Sequence, residues 1–161
     1  MQRGFTFIML LFMISLMSIA LMAAFPVMET QLKREMEEEL IFRGSQIVEG
    51  IRLYQMKHPG RFPSSLKELL KEKCIRKLWT DPMTPHGRWY LVVLSSRPDE
   101  LLLVPEEKIA SYPNPRIVGV ASQSHEKAIR VLEDKERYDE WLFLYGKFDL
   151  SKIKIRRWSE E

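Results

Sequence analysis

Between Phe5 and Pro26 the chain carries no charged side chain. At about 1.5 Å per residue, a helix over this run reaches roughly 30 Å, the thickness of a bilayer's hydrocarbon core. Residues 5–26 are therefore read as a transmembrane helix. Whatever folds in water must come from the 135 residues that follow (161 less 26), enough for one domain. Arg3 and the initiator amine are the only charges ahead of the run, which favours a cytoplasmic N-terminus and a translocated remainder. Lys33 and Arg34, just beyond it, pull the other way. A secretory signal would need small residues one and three positions before a cut. Ser18-Ile19-Ala20 offers them, with Leu21 as the new first residue. The apolar run continues through Leu21, Met22 and Phe25, where signal peptides turn polar, and a retained anchor is the preferred reading.

With 25 basic and 22 acidic residues the net charge is +3, too small to argue for nucleic acid by itself. Cys74 is the only cysteine, so no internal disulfide can form, and a buried apolar role is expected for it.

Beyond Pro26 helical periodicity continues. Met28, Leu32, Met36, Leu40, Ile47, Ile51 and Tyr54 recur at three- to four-residue steps, apart from a gap at Gly44. They form one stripe of an amphipathic helix. The "EMEEEL" cluster falls largely between those positions and reads as a solvated face. Pro26 removes a helical hydrogen bond and should bend the helix. "KHPGRFP" ends it, so a helix from Phe5 to Lys57 would be about 80 Å long. Gly44 would let a sheet approach closely. A short second helix is expected over 64–73, capped by Ser64 or Ser65, with Leu66, Leu69 and Leu70 inward. "WTDPMTPHG" is a turn-rich connector. "RWYLVVL", "ELLLVP", "RIVGVAS" and "EWLFLYG" read as strands, the first two as a hairpin, while "KAIRVLEDKERY" leans towards strand. The expected fold is α+β: a long N-terminal helix, transmembrane then amphipathic, packed on a small antiparallel β-sheet over 88–148.

Chemistry-bearing patterns are sparse. His58, His86 and His125 stand in separate turn-like contexts with no metal-ligand spacing. Asp81 precedes Pro82 and reads as a turn residue bonding its own backbone. No phosphate loop or nucleophile elbow is present. Trp79, Trp89, Trp141 and Trp158 lie beside apolar neighbours and read as core or interface aromatics. Neither catalysis, a metal nor a cofactor is expected.

"RGFTFIMLLFMISLMSIALMAAFP" resembles the N-terminus of type IV pilin-like proteins, in particular the pseudopilins of type II secretion systems: a basic leader ending in Gly, then Phe-Thr, an apolar helix, and a Pro near its end. "RFPSSLKELL" and "LWTDPMTPHGRWYLVV" are similar to stretches of the major pseudopilin group, extending the resemblance to about residue 94. The resemblance implies a pilin-like fold and a leader of residues 1–4, removed by a prepilin peptidase between Gly4 and Phe5. Phe5 would then be N-methylated. It further implies a single-pass inner-membrane protein whose periplasmic globular domain, 27–161, begins with helix 27–57. Its partners would be the prepilin peptidase, an inner-membrane assembly platform and other pilin-like subunits bearing an N-terminal Glu.

Two departures matter. The family usually carries Glu at the fifth residue after the cut, to meet a neighbour's methylated amine; here that position is Met9. The acidic, Gly-rich calcium loop of major pseudopilins has no counterpart in "KFDLSKIKIRRWSEE", so calcium is not expected. The leading expectation is a structural subunit of a secretion or pilus filament. One alternative is a DNA-uptake pilin, motivated by Lys152, Lys154 and Arg156 alternating with Ile153 and Ile155 beside Trp158. An ordinary solvated strand face is the preferred reading of that stripe, and nucleic acid is not an expected partner. The other alternative is a membrane-anchored periplasmic protein of different role.

Overall fold

The computed structural model describes residues 3–97, 99–132, 134–150 and 152–158, with backbone alone at 3, 4 and 23–27. The fold is α+β, consistent with a pilin-like description. Helix α1 spans Arg3–Lys57, and the chain forms two compact units, Met1–Glu35 and Met36–Glu161.

In the first unit every side chain from Phe5 to Met22 is exposed. The segment is built from Leu, Met, Ile, Phe and Ala without Gly or Pro, so helix formation meets no local obstacle. Its serines do not oppose an apolar surround. Ser15 Oγ donates to the Leu11 carbonyl at 2.8 Å and Ser18 Oγ to that of Ile14 at 2.9 Å, satisfying both hydroxyls within the helix.

In the second unit the buried positions of α1 are Glu37, Leu40, Gly44, Ile47, Ile51 and Tyr54, with Gly50 beside them. Steps of three and four place these on one face. The stripe differs from the expected one at its start. Met36 is 42% exposed and Glu37 fully buried, because counting back three from Leu40 keeps to the face and counting back four leaves it. Met28 and Leu32 of the first unit are also exposed. The gap at Gly44 is a close approach, since a Cβ there would lie 2.5 Å from Cδ2 and Cγ of Phe143. Gly50 meets Ile75 in the same way.

The helix ends where expected. His58 N–H still donates to the Tyr54 carbonyl at 2.8 Å, Pro59 follows, and Gly60 takes φ +79°, a left-handed conformation suited to glycine. Helix α2, Leu66–Lys71, is capped by Ser65, whose Oγ accepts from the Glu68 N–H at 3.2 Å. The Glu68 carboxylate returns to the Ser64 N–H at 2.7 Å and accepts from the Tyr54 hydroxyl at 2.7 Å. The bond to Glu68, with burial, pushes the Tyr54 hydroxyl up to about 12. Leu66 and Leu69 point inward. Leu70, expected with them, is 37% exposed.

Among the described residues seven strands follow: β1 Trp89–Leu94, β2 Glu100–Pro105, β3 Ile117–Ser122, β4 Lys127–Leu132, β5 Lys135–Arg137, β6 Leu142–Leu144 and β7 Lys154–Arg157. The main sheet has the order β6-β3-β1-β2-β7. β1 and β2 form the expected hairpin, with Val92 opposite Leu103. One pairing departs from the antiparallel plan: β7, beyond the expected limit of the sheet, lies parallel to β2. β4 and β5 settle the ambiguous "KAIRVLEDKERY" as a separate two-stranded ribbon. Leu91, Val93, Val104 and Val120 share a core with Leu40, Ile47 and Ile51 of α1. Val92, Leu101, Leu103 and Ala121 form a second apolar cluster, against which Phe148 and Ile153 pack. Burial on both faces accounts for the continuous apolar runs in β1 and β2.

Candidate functional site: an uncovered apolar helix and a buried carboxylate

The residues singled out in the sequence gather at the start of α1. Phe5 is 72% and Met9 52% exposed. Gly4 and Pro26 carry the expected cut and bend; both sit in backbone assigned to α1, and those two readings fall on residues outside those described in full. Phe5–Met22 is a candidate membrane span, the one such helix among the described residues, with none of its window buried. Eighteen consecutive exposed apolar or uncharged residues amount to a surface that lipid or other apolar helices would cover, since leaving it in water costs about 25 cal/mol for each Å².

A second feature was missed by the sequence. Glu37, within the acidic cluster assigned to solvent, is fully buried. Its Oε1 accepts from the Ile129 N–H at 2.6 Å and from the Tyr138 hydroxyl at 2.8 Å, while Oε2 has no hydrogen-bond partner. Neighbouring Glu38 is exposed and pairs with Arg130 at 2.6 Å. One carboxylate on α1 thus holds both the β4–β5 ribbon and the 3-10 turn Tyr138–Glu140. Burial, and then the bond to Glu37, push the Tyr138 hydroxyl well above its ordinary value. The signal available in sequence was the spacing, since 37, 40, 44, 47, 51 and 54 make an unbroken three-four pattern. Its acceptor role depends on residues about a hundred positions away, which no local pattern shows.

Asp81 does more than close its own turn. Oδ1 accepts from the Met83 N–H at 2.8 Å, as expected, and Oδ2 accepts from Ser122 Oγ at 2.8 Å and the Gln123 N–H at 3.1 Å. It pins the connector to the end of β3. Burial pushes its carboxyl up, against the pull of these donors. Trp89 is fully buried and donates Nε1–H to the Trp79 carbonyl at 2.8 Å, and Trp141 donates to that of Lys135 at 3.2 Å. Cys74 is buried, with Sγ 3.6 Å from the Glu72 carbonyl.

The three histidines remain apart in role. His58 lies 3.4 Å from Glu72, and His125 Nδ1 lies 2.8 Å from Asp139 Oδ2. Among the described residues no three His, Cys, Asp or Glu side chains assemble as a metal-binding group. The basic stripe at the C-terminus is interrupted. Lys152 precedes β7 and pairs with Asp149 at 3.0 Å, Arg156 pairs with Glu100 at 3.4 Å, and Trp158 packs edge-on to Tyr112.

No protein family, curated protein or solved structure matches this chain. The chain has an N-terminal apolar helix followed by a sheet, compatible with a pilin-like α+β fold.

Proposed function

We propose that the chain is a pilin-like structural subunit of a type II secretion or related type IV pilus filament, drawn from the inner membrane through α1 and without catalytic activity of its own. The observation that carries this reading is the wholly uncovered Phe5–Met22 segment on the same chain as a folded sheet domain. Such a helix leaves lipid at tolerable cost only when it enters another apolar environment, and a bundle of neighbouring subunits' helices is one. The N-terminal resemblance supplies the rest of the reading: cleavage after Gly4 by a prepilin peptidase, methylation of Phe5, a periplasmic sheet domain, and an assembly platform driven by a separate ATPase. The interruption of the basic stripe by Glu100 and Asp149 weighs against the DNA-uptake alternative.

Met9 sets the kind of subunit. Each new copy would bring an N-terminal amine into a low-dielectric bundle, where an unpaired charge costs about 2.5–3.5 kcal/mol on insertion scales. A Glu offsets that cost and a thioether does not. The chain should therefore enter filaments as a minority subunit beside partners that carry the Glu, or occupy an end. Overproduced with a prepilin peptidase and assembly ATPase but no other pilin-like subunit, the unaltered chain should yield few sheared filaments, and Met9→Glu many. Abundant homopolymer from the unaltered chain would overturn this assignment.

A further inference from the structure

β6 and β7 are the two edges of the main sheet, separated in its order by three strands. Yet Leu142 of β6 and Ile155 and Arg157 of β7 line one cleft of about 540 Å³, with Leu103 of β2 behind them. The sheet therefore curls until its edges face each other across a gap. Asp139, beside β6, closes the rim by pairing with Arg157 at 2.5 Å. We propose that this cleft binds an extended peptide segment that presents a carboxylate side chain between apolar ones.

Three features select that ligand. Among the described residues β6 pairs within the sheet with β3 alone and β7 with β2 alone, so each leaves an edge where an extended segment can add as a strand. The volume falls within the range of about 300–1,000 Å³ typical of ligand sites, and Leu103, Leu142, Leu150 and Ile155 give it an apolar floor. The wall is cationic and held in place. Asp139, its side chain 4% exposed, fixes Arg137 through Nε at 3.1 Å as well as Arg157, and the same Oδ2 that meets Arg157 lies 2.8 Å from His125 Nδ1. A guanidinium has five N–H donors; Asp139 engages Nε and Nη2 of Arg137 and Nη2 of Arg157. Both arginine side chains are about half exposed, 43% and 53%, which leaves donors beyond those that Asp139 engages accessible to a ligand. Lys135 adds a third cation, and Asp139 and Glu140 are the two carboxylates of the lining. The surplus is a single positive charge, which suits one carboxylate and disfavours a polyanion.

The test uses the full chain in nanodiscs of zwitterionic lipid and the blocked peptide acetyl-Leu-Ser-Glu-Ser-Leu-amide, whose alternation sets both leucines and the glutamate on one face. Its Gln analogue is the control. Calorimetric titration should show saturable binding of the Glu peptide, with the Gln peptide weaker by about tenfold, as expected for loss of a charge-assisted contact. Arg157→Gln should bring the two peptides within about twofold of each other. Lys135→Gln, at an exposed position, should weaken the Glu peptide without altering thermal unfolding, and serves if Arg157→Gln impairs folding. Absence of saturation by either peptide at millimolar concentration, or equal binding of the two by the unaltered chain, would overturn the proposal.

Discussion

Replacing Gly44 with leucine should destabilise the sheet-bearing unit by about 3 kcal/mol, at the upper end of what overpacking a core costs. The Cβ alone would sit 2.5 Å from two ring atoms of Phe143, well inside van der Waals contact, and the rest of the side chain has the same buried wall ahead of it. The gain of helix propensity on leaving glycine, about 1 kcal/mol, works in the opposite direction and is smaller. Phe143 is itself 8% exposed, so it cannot swing into solvent without opening the core. Alanine in place of Phe143 in the same chain should recover part of the loss, because two overlapping groups are no longer competing for one space. Urea denaturation of the single and double variants measures this. Equal stability of Gly44→Leu and the unaltered chain would mean that helix and sheet do not meet at this position.

Glu37→Ala should cost a similar amount by a different route. It takes the acceptor from the part-buried Ile129 N–H and from the buried Tyr138 hydroxyl, and a buried donor that loses its partner costs about 1–3 kcal/mol. Glu37→Gln keeps an oxygen at the Oε1 position and puts an amide NH2 at that of Oε2, which has no hydrogen-bond partner. It should fall between the unaltered chain and Glu37→Ala, since the bonds to Ile129 and Tyr138 are kept while the amide's own donors are unpaired. Hydrogen exchange at the Ile129 amide separates the two: rapid in Glu37→Ala and protected in Glu37→Gln. Comparable exchange in all three would show that the carboxylate does not hold the β4–β5 ribbon.

These two positions also mark how far the sequence could be read. The apolar run, the stop at His58-Pro59-Gly60 and the first three strands follow from local pattern, because each is fixed by periodicity and turn chemistry within a dozen residues. Gly44 was legible as a gap in a stripe. Glu37 was not, because a run of four glutamates within five residues reads locally as solvated, and only Tyr138 and Ile129 make burial tolerable. β7 was recognisable as alternating residues, but its parallel seat on β2 is a pairing across some fifty positions with no turn to announce it. The cleft between β6 and β7 arises from the curl of the whole sheet, and no short motif encodes it. Asp139, which closes that cleft, lies in a stretch where acidic and basic residues alternate without periodicity.

In the proposed pilin-like subunit α1 is trimmed at its start and otherwise kept. Intact-mass measurement of the chain recovered from membranes of a host with a prepilin peptidase tests it most directly. The expected chain lacks Met1–Gly4 and begins at an N-methylated Phe5. A chain beginning at Leu21, or one still beginning at Met1, would contradict it.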